Sequence, residues 1–214
     1  MVSGILGTGH HFFYMGAPEY WLWVGSIASA VEPLPFFLMI LFAFTMARDR
    51  KIQHDNEIAL TWAKGTAVMG FLGAGVWGFF HTLAPVNMFT HGTQLTAAHG
   101  HLSFYGAYIM IIFTVISYAM PILRGRPHGN SKEAQKVELT SFWMMNIGMM
   151  GLTLALSVAG IVQIMDQRVG TDLIGFMESQ ESIAGIYTIR AAFGALVFAG
   201  LITYFYSFFV KKEA

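Results

Sequence analysis

Two histidines two positions apart in one apolar run, Thr96-Ala-Ala-His99-Gly-His101-Leu-Ser103, carry the first chemistry visible in this chain. On a helix, residues i and i+2 point about 200° apart. These imidazoles therefore cannot serve one metal from one face, but they can serve two, one on each side of the helix. A heme iron takes an axial imidazole and needs a flat apolar slot, so two hemes flanking one helix suit the spacing. Gly100 keeps the backbone slim between them. The plainer alternative is two polar side chains bonded to neighbouring helices. Ionisable groups at membrane depth are costly and default to a functional reading.

His10 and His11 form a second group, after Gly4, Gly7 and Gly9. Adjacent residues diverge by about 100° on a helix, yet an irregular turn can bring both rings to one ion. Two imidazoles suit iron, copper or zinc, and a closed site needs a further ligand that this sequence does not obviously supply. The third feature is Glu32, in Val31-Glu-Pro-Leu-Pro-Phe36. An unpaired carboxylate at the centre of a membrane helix costs at least ~2.5–3.5 kcal/mol. Pro33 and Pro35 are expected to break the helical ladder there, which makes Glu32 a candidate metal ligand or proton carrier. Its plainer reading is a neutral acid held by backbone carbonyls. His81 falls near a helix end, and His54 and His128 fall in basic loops where solvation suffices.

The elements that position these residues must be membrane helices. The composition is 55% hydrophobic and 11% charged, against ~45–50% and ~25% in soluble domains, and mean hydropathy is +0.56. Net charge is zero, so no nucleic-acid partner is implied, and with no cysteine there is no disulfide, thiolate site or c-type heme attachment. The opening MVSGILGTGHHFFYMG has no basic n-region and no cleavage signal, so no signal peptide is expected. Five stretches reach the ~20 residues a span needs: 20–46, 58–83, 93–123, 138–165 and 185–210, in a single membrane domain over 1–214. Arg48, Arg50 and Lys51, then Arg124, Arg126, Lys132 and Lys136, then Lys211 and Lys212 mark one side. By the positive-inside rule the C-terminus is expected in the cytoplasm and the histidine-rich loops on the periplasmic side. The glycines at 70, 73, 75 and 78, and Ala191, Ala195 and Ala199, suggest close helix packing in lipid.

The order His10-His11, Glu32-Pro-Leu-Pro-Phe36, Thr90-His-Gly-Thr-Gln94, Ala97-Ala-His-Gly-His101 and Ser117-Tyr-Ala-Met-Pro121 resembles one family. It is the large, cytochrome b subunit of nitric oxide reductase, in the heme–copper oxidase superfamily, and the likeness runs along the C-terminal portion of that subunit. The resemblance implies an all-α integral membrane fold, five transmembrane helices forming part of a bundle of about twelve. It implies three cofactors: a low-spin heme b, a high-spin heme b3 and a non-heme iron. His10, His11 and Glu32 would belong to the non-heme iron, His99 would be the axial ligand of heme b3, and His101 an axial ligand of heme b. His91 and Thr96 would lie by the heme propionates. The implied activity is reduction of two nitric oxide to nitrous oxide, in denitrification, in the bacterial inner membrane. Implied partners are about seven further spans, as a separate chain or a missing N-terminal half, and a cytochrome c subunit. Glu32 argues against the alternative of an oxygen-reducing oxidase, and the ordered ligand types argue against a non-catalytic scaffold. A broken-helix transporter would have no use for the paired histidines.

Overall fold

The computed structural model describes residues 2–49, 56–126 and 130–210. Arg50, Lys51, His54, His128, Lys211 and Lys212 lie outside the described residues. Everything regular among the described residues is helical. In hydrocarbon an unpaired backbone group has no water to turn to, so a spanning segment must satisfy its hydrogen bonds within itself.

Helix α1 (Val2–Gly7) runs into a 3-10 turn, Thr8–Phe12, which carries His10 and His11. Helices α2 (Tyr20–Ala30) and α3 (Pro33–Asp49) form one apolar stretch, interrupted at Val31 and Glu32. The expected break in the helical ladder falls just before the prolines, and Pro33 opens the helix that follows it. Pro33 sits in the first turn of α3, where its missing N–H and fixed φ do no harm. Helix α4 (Glu57–Gly70), a π-helical stretch (Phe71–Trp77) and α5 (Gly78–Thr82) are continuous, and α6 (Ala84–Thr90) then bends away by 101°. Helix α7 (Gln94–Phe104) passes through a π-turn into α8 (Met110–Leu123). The long α9 (Lys132–Ile164), the short α10 (Phe176–Ser182) and α11 (Ala184–Ser207) complete the chain. Among the described residues four helices are long and apolar enough to cross a membrane, and five if the bent pair counts as one. The chain is a multi-pass, all-helical membrane protein.

Two ends of the bundle can be told apart. Asn56 Nδ2 donates to the Ser117 carbonyl at 2.8 Å, and Arg124 donates to the Phe208 carbonyl at 2.8 Å. The start of α4 and the ends of α8 and α11 thus share one end, with Arg124, Lys132 and Lys136. Near that end Trp62 meets Phe142 and Tyr204 edge to face, and Phe113 packs tilted on Trp62 and Tyr204, at ring separations of 4.4–5.6 Å. A polar clasp lies among these rings. Glu138, fully buried, accepts from Trp62 Nε1 at 3.0 Å and from the Ser117 hydroxyl, and Ser117 Oγ is 3.0 Å from the Tyr204 hydroxyl. One carboxyl joins α4, α8, α9 and α11.

Close approach depends on glycine where backbone meets backbone. A Cβ on Gly73 would stand 2.6 Å from the Leu102 carbonyl carbon, and one on Gly106 would run into Gly70 N and lie 2.7 Å from the Met69 carbonyl oxygen. Helix α9 meets α11 through Gly148, whose Cβ would lie 2.9 Å from the Phe193 oxygen, and through Gly151 against the Phe193 ring. The alanine repeat does not make that contact, since Ala191 and Ala195 face outward. Overpacking ordinarily costs about 1–3 kcal/mol, and backbone gives way less readily than a side chain. Gly106→Val should therefore lower thermal stability in detergent by the upper part of that range. Gly185→Ala, whose Cβ meets nothing within 4 Å, should leave stability unchanged or raise it. Equal melting of the two variants would show that the contact between α4 and the π-turn after α7 is loose.

Candidate functional site

The histidines at the other end of the bundle share one device. His99 Nδ1 lies 3.0 Å from the Gly73 carbonyl, with Ser103 Oγ at 3.1 Å. A carbonyl can only accept, so Nδ1 carries the proton and Nε2 is bare. Gly73 belongs to the π-helical stretch, and its oxygen also takes the N–H of Gly78, five residues on. Gly78 leaves room for the imidazole, since a Cβ there would come 3.2 Å from His99 Cε1. His101 Nδ1 donates to the Ala97 carbonyl at 2.7 Å, and its ring faces outward. His99 and His101 accordingly occupy different faces of α7, one against α4–α5 and one on the open side. Phe104, 67% exposed, and Tyr108, 59% exposed, share that open side, and nothing stands within 4 Å of a Cβ at Gly100. A bare imidazole nitrogen beside uncovered aromatic surface fits a flat apolar group bound axially.

His10 is anchored in the same way. The Ser29 hydroxyl donates to the Gly7 carbonyl at 3.0 Å, which leaves its oxygen to accept from His10 Nδ1 at 2.9 Å. His10 and His11 rings stand 4.2 Å apart, tilted by 36°. Gly25 allows this turn to settle on α2, because a Cβ there would lie 2.6 Å from His10 N. Burial, and after it the charge of His11, hold His10 at a pKa of about 4, and the charges of His99 and His81 act in the same direction. His10 is thus neutral at pH 7, the form that ligates a metal, and it shares a neighbourhood with His81 and His99. The half-buried Glu32 presses its carboxyl oxygen against Gly7. The interruption between α2 and α3 thereby delivers a carboxyl to the segment that carries the two histidines. Among the described residues no three His, Asp or Glu side chains converge on one metal position, so a closed site would need a ligand from outside them.

His91 and Thr96 lie at the α6–α7 corner. The Thr96 hydroxyl donates to the Thr90 carbonyl at 3.0 Å, and the His91 ring meets the edge of Tyr14 at 6.4 Å. Arg168 fastens this corner. Its guanidinium donates to the carbonyls of Met88 at 3.0 Å, of Phe89, and of His91 at 2.7 Å. In the sequence Arg168 is only a lone basic residue in a loop, and no local pattern marks it. Ser29 also gives no sign in the sequence. Glu138 opens the expected span 138–165 just after Lys132, Glu133, Gln135 and Lys136, where a charged residue is ordinary, so the sequence does not mark it.

The all-helical membrane architecture agrees with what the chain is similar to. It belongs to the Cytochrome C and Quinol oxidase polypeptide I family, whose model matches residues 1–196. It is 55% identical to the B subunit of nitric oxide reductase from Stutzerimonas stutzeri over 210 residues, 97% of this chain and 44% of that protein. It is 25% identical to the Cbb3-type cytochrome c oxidase subunit CcoN1 of the same organism, over 92% of this chain and 42% of that protein. Cytochrome c oxidase subunit 1 of Rhodobacter capsulatus is 26% identical over 89% of this chain and 36% of its own length. The chain spans less than half the length of these curated relatives.

The Arg168 clamp can be measured directly. A hydrogen bond from a charged donor contributes about 1.5–3 kcal/mol, and solvent exposure reduces three such bonds here to the equivalent of roughly one. Arg168→Met should then speed amide exchange across residues 88–93 by about tenfold. Unchanged exchange would show that the corner holds itself.

Proposed function

We propose that this chain is part of the catalytic subunit of a nitric oxide reductase in a bacterial inner membrane, with its basic end and C-terminus in the cytoplasm. The reaction combines two nitric oxide, two electrons and two protons into one nitrous oxide and one water, as a step of denitrification. Heme b, heme b3 and a non-heme iron would, when bound, carry the electrons and hold both substrate nitrogens close, replacing a rare encounter by a near-unimolecular step. The observation that carries the reading is Glu32 held against Gly7, three residues before His10. The oxygen-reducing branch of the superfamily does not favour a carboxylate there, and the identity to the reductase subunit is about twice that to the oxidases.

Each residue has a task in this reading. His10, steered by Ser29, would present Nε2 to the iron, and His11 would supply the second imidazole. Glu32 binds the iron or holds a proton for the oxygen that leaves as water. His99, held to the Gly73 carbonyl, offers its bare nitrogen to heme b3, and His101 offers its own to heme b on the open face. The backbone from His101 to His99 is a two-residue link between them. His91 and Thr96 stand by the propionates, on the corner that Arg168 fastens. The remaining ligands come from about seven further spans, on a separate chain or an N-terminal half. Electrons arrive from a cytochrome c subunit or from quinol.

Two experiments on the assembled protein test this. Glu32→Gln keeps the side chain's shape, yet an amide neither carries a proton nor binds iron as a carboxylate does. Nitric oxide turnover should fall by about 10²–10⁴-fold while the hemes remain. Near-normal turnover, or stoichiometric copper in place of the non-heme iron, would falsify the reading. His101→Ala should erase the low-spin spectrum, whereas His99→Ala should keep it and lose turnover. Loss of both hemes from either change, in protein that still assembles, would remove the two-faced arrangement.

A further inference from the structure

His81 has no part in the scheme above, and its surroundings are unusual. It is 6% exposed, in the last turn of α5. Its Nδ1 lies 2.9 Å from the Trp77 carbonyl, which fixes the proton there and leaves Nε2 bare. That nitrogen is buried with no hydrogen-bond partner. The ring lies nearly parallel to the His99 ring, 21° between planes and 5.0 Å between centroids. The backbone of the same residue is also secured, because Asn87 Nδ2 donates to the His81 carbonyl at 2.7 Å.

His99 is thus held along two directions. The Gly73 carbonyl and Ser103 hydroxyl meet its Nδ1 in the ring plane. A hydrogen bond in the plane fixes where Nε2 points but restrains rotation about that axis only weakly. A flat ring stacked on its face restrains that rotation. His81 supplies the face, and the Trp77 tether stops His81 from turning instead.

The geometry points to His81 as a positioning residue for His99, setting the rotational orientation of the axial imidazole on the high-spin heme. The inference rests on the reading of His99 as that heme's ligand. It differs from a packing role in what it requires, a planar ring held at fixed rotation and not merely filled volume.

The test uses the full-length assembled subunit and reads the iron–imidazole stretching band of the reduced high-spin heme. The low-spin spectrum reports that assembly is intact. His81→Leu keeps bulk without a ring, and the band should broaden and shift. His81→Gln keeps a donor for Trp77 without a ring, and should shift the band as well, so it serves if the leucine variant fails to assemble. His81→Phe restores a ring without the tether and should bring the band part of the way back. An unmoved band in the leucine or glutamine variant overturns the proposal. So does a phenylalanine variant as displaced as the leucine one. His99→Ala separates the two levels: a high-spin heme band that survives loss of His99 defeats the ligand reading itself, not the stacking of His81 on it.

Discussion

An imidazole with one nitrogen tied down has one free, and the histidine end of this bundle is organised around that constraint. His10, His81, His99 and His101 all commit Nδ1 to a nearby oxygen. A ring nitrogen opposite a carbonyl must be protonated, so the tautomer is chosen by the backbone before any ligand arrives. Such outer partners fix ring direction and raise the basicity of the free nitrogen. The serine on α2 and the π-helical stretch before α5 have their purpose in this. Each puts an oxygen within reach of an imidazole on a different element.

The π-stretch has a cost that the glycines offset. Widening a helical turn loosens its own ladder, which hydrocarbon penalises. Phe71–Trp77 tolerates this because α7 lies against Gly73 so closely that backbone covers backbone. The carbonyl that Gly78 and His99 share is therefore shielded by the helix that carries His99. Helix approach and ligand orientation form one arrangement, and a side chain added at Gly73 would disturb both.

The sequence makes much of this legible and hides the rest for physical reasons. Apolar runs and their lengths announce the spans, because lipid accepts little else. The two faces of His99 and His101 follow from helical periodicity alone. Glu32 is visible as a carboxylate in an apolar run. Pro33 marks in the sequence the break that the structure has at Val31 and Glu32, but not that the proline itself starts α3, since a proline's consequence depends on which turn it occupies. The α6 bend at Leu83 is not foreseeable from hydropathy, which sees only a span ending. Contacts between residues far apart in the chain, such as Ser29 with His10 or Arg168 with Met88, leave no local trace. The alanine repeat of α11 has the spacing of a packing face yet points outward, because the small residues on α9 already provide the approach.

The Glu138 clasp bears on the order in which the chain enters the membrane. A helix that buries a carboxyl at the edge of its apolar length is costly to release into lipid alone. During synthesis α4 and α8 precede α9, so Trp62 and Ser117 are already in place when Glu138 emerges from the translocation channel. Helix α11 arrives last, and Tyr204 closes the group over Ser117. The costly segment is thus third of the four to appear, with its hydrogen-bond donors waiting for it. A chain rearranged so that α9 came first would ask the membrane to accept that carboxyl without them.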